Sequence, residues 1–379
     1  MNMPTDRPLQ PAQSGTAATF EVDFNRYLDK RGKVVVETLP GWAREPEVML
    51  PLYRLMCSAR EFDRAAMNLQ RTGRLGTFAS PLGQEAIGAG VASCMHPEDV
   101  LIPSYREFGA QIGRGVSLLE LLLYWGGDER GSDFAGPRED FPVSIPVASH
   151  CCHAAGVAYA FKLRQQARVA VCFLGDGATS KGDFYESLNA AGAWKLPLVF
   201  VVSNNQWAIS VPLQKQTAAQ TLAQKAIAAG IPGEQLDGND ALAVRARVGR
   251  AIEAARAGQG PCLIEALTYR MGDHTTADDA SRYRQQDEVE RQRQYDPLDR
   301  LRAYLVNEGM WSAEEEAALL DACKLEMQQA VEAYLEMPPQ SPESMFDFLY
   351  SELPESLQSQ RRELLDAARS GDLQEREHD

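Results

Sequence analysis

Two short polar segments in the middle of the chain have the residue types needed to bind a phosphate ligand. Gly175, Asp176 and Gly177 follow an apolar run, and Asn205 lies 30 positions after Gly175, at the end of a second apolar run. The glycines permit a tight turn and close approach of the backbone to a ligand. Asp176 and Asn205 offer carboxylate and amide oxygens, which suit Mg²⁺, an ion that commonly keeps phosphate oxygens among its ligands. The spacing therefore predicts a magnesium and phosphate site.

The elements that must position these residues are buried strands and the helices between them. Three short apolar runs without alternation are typical of strands buried on both faces of a parallel sheet: Val169–Leu174, Leu198–Val202 and Cys262–Ala266. Helical patterns lie between them: Asp183–Lys195, Thr217–Ala229 and Ala241–Ala257. This alternation predicts an α/β fold with a doubly wound, mainly parallel sheet. Asp176 and Asn205 would then emerge at the same edge of adjacent strands, where such sheets bind ligands.

Outside the central strands and helices, the sequence pattern predicts extensions at both ends of the chain. Residues 1–18 are expected to be disordered, and residues 1–44 to form a flexible arm with a short strand at Val34–Val36. A long helix is predicted from Glu45 to Arg71, where apolar residues recur at helical spacing. The C-terminal third also has helical patterns. The predicted divisions are the arm, a ligand-binding domain over residues 45–340, and a helical tail over residues 341–379.

Bulk properties exclude several classes of function. The 379 residues have a formal net charge of −15, which disfavours nucleic acid as a partner. None of the seven cysteines forms a CxxC pair, and several lie in apolar runs, which is typical of reduced, buried thiols. We find no apolar stretch long enough to span a membrane and no secretory signal at the N-terminus. We therefore expect a cytoplasmic protein that does not associate with membranes.

Two other phosphate-binding motifs fit the central segment poorly. A dinucleotide-binding fold requires GxGxxG, but Ser180 occupies the position of the third glycine. That fold also places an acidic residue at the end of the next strand, where this chain has Asn204–Asn205. The P-loop pattern GxxxxGK[ST] does not fit GDGATSKGD. A purely structural turn remains the alternative.

Several motifs in order along the chain resemble those of one enzyme family. They are GQEA at 83–86, SYRE at 104–107, GDGATSKGDFYE from 175, NNQWAIS from 204, and YRMGDHTTADDASRYR at 269–284. The GDG and NN pair looks like the thiamin diphosphate signature. Together the motifs resemble the alpha subunits of the decarboxylase components of 2-oxo acid dehydrogenases, over roughly residues 45–340. The resemblance implies a thiamin diphosphate-binding fold of the diphosphate type.

The resemblance also implies a role for individual residues. Mg²⁺ would be held by Asp176, Asn205 and the backbone carbonyl of Trp207, where the family more often has tyrosine. The backbone N–H groups of Gly177 and Ala178 would bind the diphosphate. Tyr105 and Arg106 match the family's YR pair at the diphosphate. The family holds the aminopyrimidine with backbone groups in an apolar stretch before a small-residue helix, which is Ser144–Ser149 here, and Ile145 and Val147 align best.

His274 is implied to be the catalytic histidine, in contact with the phosphate end of the cofactor and assisting acyl transfer to lipoamide. His150 and His153 flank Cys151–Cys152, an arrangement that could bind a metal, but packing or an interface is the favoured interpretation. Phosphorylated serines of mitochondrial relatives correspond to Thr275 and Arg282, which argues against regulation by that route.

The resemblance implies that this chain holds only part of an active site. The activating glutamate would come from a beta subunit rather than from Glu85, in a heterotetramer of two alpha and two beta chains. The acyl group would pass to a lipoylated acyltransferase component. Details of the motifs are closest to bacterial pyruvate dehydrogenase. The open alternatives are a branched-chain 2-oxo acid dehydrogenase, an acetoin dehydrogenase and a non-catalytic paralogue.

Overall fold

Six strands form one parallel sheet in the computed structural model, which describes residue 16 and residues 18–347 and 349–370. The strands of the chain are β1 Phe24–Asn25, β2 Val100–Ile102, β3 Ala170–Gly175, β4 Leu198–Asn204, β5 Trp207–Ala208, β6 Val211–Pro212, β7 Gly233–Asp237 and β8 Cys262–Leu267. The order across the sheet is β1-β7-β8-β4-β3-β2, while β5 and β6 form a separate antiparallel pair.

Helices cover both faces of this sheet. They are α1 Pro46–Arg71, α2 Glu85–Ala92, α3 Phe108–Arg114, α4 Leu118–Trp125, α5 Ser149–Leu163, α6 Gly182–Trp194, α7 Leu213–Gln216, α8 Lys225–Ala229, α9 Ala241–Arg256, α10 Gln286–Arg293, α11 Pro297–Asn307, α12 Ala313–Leu335, α13 Ser344–Asp347 and α14 Glu355–Ser370. The α/β class with a doubly wound parallel sheet is thereby confirmed.

The central strands are apolar at most positions because both of their faces are buried. On β3, Cys172 and Leu174 pack with α5 and α6 on one side of the sheet. The intervening residues Val171 and Phe173 pack with α2 and α9 on the other side. Successive side chains of a strand point to opposite faces, so a strand covered on both sides loses the alternating pattern.

The chain divides into two compact units, one ending at Ala330 and one beginning at Val331. The first contains the sheet. The second contains the end of α12 together with α13 and α14, and Arg361 pairs there with Glu343 at 2.9 Å. The predicted division at residues 340 and 341 stays a prediction. Among the described residues, no helix is both long and apolar enough to cross a membrane.

Three predictions differ from the structure. The predicted strand at Val34–Val36 is reduced to one antiparallel bridge between Leu28 and Val34. The predicted helix Thr217–Ala229 is helical only over its last five residues, Lys225–Ala229. Strand β7 was not predicted, because its sequence GEQLD is too polar to resemble a buried strand. Most of the predicted disorder at residues 1–18 falls outside the described residues.

A buried carboxylate connects three of the elements beneath the ligand-binding edge. Glu265 on β8 is 1% exposed and accepts a hydrogen bond from Asn204 Nδ2 at 2.6 Å. It also accepts from the backbone N–H of Ala223 at 2.9 Å and from Gln235 Nε2 at 3.0 Å. A buried carboxylate is stable only when its lone pairs are used in this way. Glu265 therefore holds β4, β7 and the segment before α8 in place together.

We predict that Glu265→Gln lowers the free energy of unfolding by about 2 kcal/mol, because the amide places a donor where three donors already point. Urea denaturation measures the effect. The control is Glu253→Gln, which makes the same change on an exposed face of α9 and should alter stability by less than about 0.5 kcal/mol. Equal effects of the two substitutions would contradict the assigned role of Glu265.

Candidate active site

One cavity of about 670 Å³ opens at the carboxyl edge of β3 and β4. This is within the size range of cofactor and ligand sites. All ten residues assigned from the sequence motifs line it: Tyr105, Arg106, Ile145, Val147, Asp176, Gly177, Ala178, Asn205, Trp207 and His274. The structure thus brings together segments separated by up to 169 positions in the chain. Their individual roles in binding and catalysis remain predictions.

The turn after β3 presents one carboxylate and two backbone N–H groups to the cavity. Asp176 is buried, and one of its carboxylate oxygens accepts a hydrogen bond from Gln216 Nε2 at 2.7 Å. Burial raises the pKa of Asp176, and the bond from Gln216 opposes that rise. A 3₁₀ turn over Gly177–Ser180 follows, and its own hydrogen bonds do not use the N–H groups of Gly177 and Ala178. These two N–H groups can therefore bind an anion.

Close packing explains why position 177 is glycine. A Cβ atom there would lie 2.6 Å from the Cβ of Ala208, which is closer than real Cβ contacts allow. The next helix, α6, starts only at Gly182. The anion-binding N–H groups therefore belong to the 3₁₀ turn and not to the first turn of α6.

The two asparagines after β4 have different roles in the structure. Asn204 is fully buried and bonds both Glu265 and Gln206, which turns the chain at the end of the strand. Asn205 lines the cavity, and its side-chain oxygen accepts only a long bond of 3.3 Å from the N–H of Trp207. The amide oxygen of Asn205 is therefore the one available to a ligand.

Backbone strain is concentrated in the same walls of the cavity. Gln206 and Ile209 have φ angles of 73° and 55°, and they flank Trp207–Ala208. Ala148, which follows Val147, has a φ of 66°. Non-glycine residues adopt this region at a cost of about 1–3 kcal/mol, and such residues cluster at functional sites. The strain thus marks the segments that contribute Trp207 and Val147.

Three buried guanidinium groups lie at or behind one wall of the cavity. Arg106, Arg270 and Arg284 are all buried. Their hydrogen bonds go to backbone carbonyls, to the Tyr283 hydroxyl and to the His274 ring rather than to carboxylates. Burial of a charge without an opposite partner is unfavourable. This wall therefore favours an anionic ligand.

His274 is held in one tautomer by these arginines. Arg106 Nη2 donates to its Nδ1 at 2.9 Å and to its backbone carbonyl at 2.6 Å. The backbone N–H of His274 donates to Asp278 at 2.9 Å. Because Nδ1 accepts from a guanidinium, the ring proton lies on Nε2. Burial, together with the charges of Arg106 and Arg270, lowers the pKa of His274 to about 4.

Two glutamates near the site differ in their access to the cavity. Glu85 is buried in an ion pair with Arg60 and does not line the cavity. Glu107 lines it, and burial raises the pKa of Glu107 to about 7. The sequence motif drew attention to Glu85, whereas the structure gives Glu107 the access that a proton-transferring acid needs.

Three residues at the site were not singled out from the sequence. Gln216 bonds Asp176, Gln84 accepts a bond of 3.3 Å from Asn205, and Arg270 donates to the carbonyls of Trp207 and Ile209. Gln84 and Arg270 lie within recognised motifs, so the sequence does contain a signal from which both residues could have been predicted. Gln216 lies in a segment without any motif, and only the folded chain reveals it.

Comparison with known proteins adds a family and several relatives. Residues 53–343 match the family model described as the dehydrogenase E1 component. The 3-methyl-2-oxobutanoate dehydrogenase subunit alpha of Mycobacterium tuberculosis is 42% identical over 318 residues, which cover 84% of this chain and 87% of that protein. Pyruvate dehydrogenase E1 component subunits alpha of Staphylococcus aureus and Bacillus subtilis are each 40% identical, covering 91% and 90% of this chain and 93% and 91% of those proteins.

We predict that the His274 imidazole stays neutral until the pH falls to about 4, because two guanidinium groups oppose its protonation. Nuclear magnetic resonance of the ¹⁵N-labelled ring nitrogens measures the titration. Arg106→Gln removes one of these charges and should move the pKa of His274 up toward its ordinary 6.5. The exposed Arg44→Gln is the control and should leave it unchanged. A midpoint near 6.5 in the unaltered chain would refute the assignment.

Proposed function

Because the chain belongs to the dehydrogenase E1 component family, we propose that it is the alpha subunit of a thiamin diphosphate-dependent pyruvate dehydrogenase that works with a beta subunit. The observation that carries this proposal is the convergence of all ten motif residues on one cavity at the carboxyl edge of the sheet. The reaction is oxidative decarboxylation of pyruvate, with transfer of the acyl group to lipoamide on an acyltransferase component.

The charge and shape of the cavity fit thiamin diphosphate. Arg106 offers a buried guanidinium without a carboxylate partner, and a guanidinium binds phosphate oxygens through paired donors. Gly177 and Ala178 add two backbone N–H groups from the turn after β3. Ile145 and Val147 add exposed apolar surface suited to a heteroaromatic ring. The cofactor, when bound, supplies the carbon nucleophile that accepts the electrons released on decarboxylation.

The oxygen ligands that Mg²⁺ needs lie on the turns that follow β3 and β4. Asp176 contributes a carboxylate, Asn205 an amide oxygen and Trp207 a backbone carbonyl, all of them hard oxygen ligands. The Trp207 carbonyl accepts a long bond of 3.3 Å from Arg270, which leaves its second lone pair for a metal. Trp207 supplies only its backbone at this position, so tryptophan can replace the tyrosine common in the family.

His274 is the catalytic residue of this chain in the proposal. Its Nε2–H can donate a hydrogen bond or a proton to an oxygen that becomes negative during acyl transfer. Arg106 fixes the tautomer through Nδ1, so one guanidinium both binds the anion and orients the histidine. The acid that activates the aminopyrimidine would come from the beta subunit, since Glu85 is bound to Arg60 away from the cavity.

A branched-chain 2-oxo acid is the second candidate substrate. The relative named for 3-methyl-2-oxobutanoate has the slightly higher identity, while those named for pyruvate match more of this chain and of their own length. The motif residues are shared by both groups, and much of the acyl pocket would be formed by the beta subunit. Direct comparison of the two substrates is therefore required.

We predict that Asp176→Asn weakens Mg²⁺-dependent binding of thiamin diphosphate by about 100-fold or more, because the charged metal ligand is lost. Isothermal titration calorimetry with the beta subunit present measures the affinity. Asp133→Asn is the control, since it neutralises an exposed aspartate that does not line the cavity. Unchanged affinity in Asp176→Asn would remove this residue from the metal site.

We also predict that decarboxylation requires both subunits and is about 10-fold faster with pyruvate than with 3-methyl-2-oxobutanoate, since extra methyl groups are discriminated by about 1–3 kcal/mol. Release of CO₂ by the alpha chain, with and without the beta subunit, measures both points. Faster turnover of the branched substrate would reassign the enzyme to the second candidate. Activity of the alpha chain alone would return the activating role to this chain, first to Glu107, because it lines the cavity.

A further inference from the structure

A second group of reactive side chains lies outside the cavity, on the β3 strand that leads into Asp176. His150 and Cys151 begin α5, and Cys172 lies on β3, three residues before Gly175. A ring nitrogen of His150 and the two sulfur atoms lie within 4.8 Å of one another. All three residues are buried, and none lines the cavity. The proposed function does not use them.

The cluster differs from the arrangement suggested by the letters HCCH. Cys152 is exposed and contacts Ser187 Oγ on α6 at 3.4 Å. His153 is exposed and stacks on Phe141 with ring centroids 6.1 Å apart. The third member of the cluster comes instead from β3, more than twenty residues further along the chain. The fold therefore selects one histidine and one cysteine of that motif and adds Cys172.

The ring of His150 has one nitrogen available to a metal. Its Nε2 lies 2.6 Å from the carbonyl oxygen of Phe173, which can only accept, so Nε2 carries the proton. Nδ1 is then an unprotonated acceptor, and it is buried without any hydrogen-bond partner. A ligating histidine commonly donates its other ring N–H to a backbone carbonyl, which fixes the ring and its tautomer. An orphaned buried lone pair is otherwise unfavourable.

The separation of the two sulfur atoms fits a shared metal ion. Cys151 Sγ and Cys172 Sγ are 3.9 Å apart. Two thiolates bound to Zn²⁺ at about 2.3 Å in a tetrahedron lie about 3.8 Å from each other. A disulfide would require the sulfur atoms to approach to about 2.05 Å. The observed spacing excludes a disulfide and fits either a shared metal ion or an S–H···S contact between two thiols, and the metal content of the purified chain distinguishes the two.

The charges also balance for a divalent ion in this apolar setting. Cys151 and Cys172 pack among buried aliphatic and aromatic residues such as Leu174 and Phe184. Two thiolates and one Zn²⁺ give a neutral group, which can be buried without an additional counter-ion. The His150 ring, with its proton on Nε2, leaves Nδ1 as the nitrogen that can bind a metal.

We propose that His150, Cys151 and Cys172 form a structural Zn²⁺ site that ties the start of α5 to β3. Each of these elements leads directly to a wall of the cavity, since Val147 and Ala148 precede α5 and Asp176 follows β3. The ion would hold these two walls at a fixed separation. Three protein ligands leave a fourth coordination position, which a water molecule would fill, as it does in Zn²⁺ sites with two cysteines and one histidine.

The test is the metal content of the purified full-length chain, measured by mass spectrometry after dialysis. We expect about one Zn²⁺ per chain in the unaltered protein and in the control Cys323→Ala, which removes a buried cysteine of α12 remote in sequence from the cluster. Cys151→Ala and Cys172→Ala should lose the ion. Retention of Zn²⁺ in both variants, or its loss in Cys323→Ala, would overturn the proposal.

Cobalt substitution of the unaltered chain tests the proposed Zn²⁺ site even if a variant fails to fold. Co²⁺ bound by cysteine gives an intense thiolate-to-metal absorption, and we expect that band, with its loss on addition of excess Zn²⁺. Absence of the band, or a disulfide between Cys151 and Cys172 in peptide maps of the isolated protein, would contradict the proposal. Neither readout involves decarboxylation, so the result is independent of the proposed enzymatic function.

Discussion

The parallel pairing of β3 with β4 is the constraint on which the site depends. The register aligns Gly175 with Ser203, so Asp176, one residue later, and Asn205, two residues later, leave the sheet at the same edge. A slip of one residue would invert the two faces of β3, exchanging the side chains that meet α5 with those that meet α9. Because both faces are buried, the core resists that slip. The position of the two proposed oxygen ligands is thus set by hydrophobic packing beneath them.

Buried positive charge is the second determinant of the site. Arg106 and Arg270 are buried next to His274 without carboxylate partners, an arrangement that costs folding free energy in the absence of a ligand. The same arrangement favours a polyanion that enters the cavity, since the desolvation of the arginines has already occurred on folding. This charge also explains how a chain with a net charge of −15 can bind a diphosphate: the local field differs in sign from the overall charge.

The parts of the fold that could be predicted are those controlled by local apolar pattern. Strands β3, β4 and β8 are mainly apolar runs, and their predicted limits agree with the structure to within two residues. Strand β7 could not be found, because Glu234 and Asp237 are compensated by arginines elsewhere in the fold: Arg247 for the first and Arg300 for the second. A strand whose charged residues form ion pairs with distant residues shows no hydrophobic periodicity in its own sequence.

The same distinction applies to the site. Glycine, aspartate and asparagine at fixed spacing identify the turns after β3 and β4, because those turns need these residue types. Gln216 supports Asp176 from a short helix without any motif, and Cys172 meets His150 only through the packing of α5 on the sheet. Contacts of this kind arise from tertiary structure, and the sequence shows them only as ordinary polar or apolar letters.

Protonation of His274 and binding of an anion are coupled through Arg106. In the free chain burial, together with the charges of Arg106 and Arg270, lowers the pKa of the ring to about 4, so the ring is neutral at physiological pH. A diphosphate bound to Arg106 would offset that charge and raise the pKa of His274, and by linkage protonation of His274 would strengthen anion binding to the same extent. A larger fraction of His274 is therefore protonated when the cavity is filled than when it is empty. The proximity of the Arg106 charge to the ring connects occupancy of the site with the protonation state of His274.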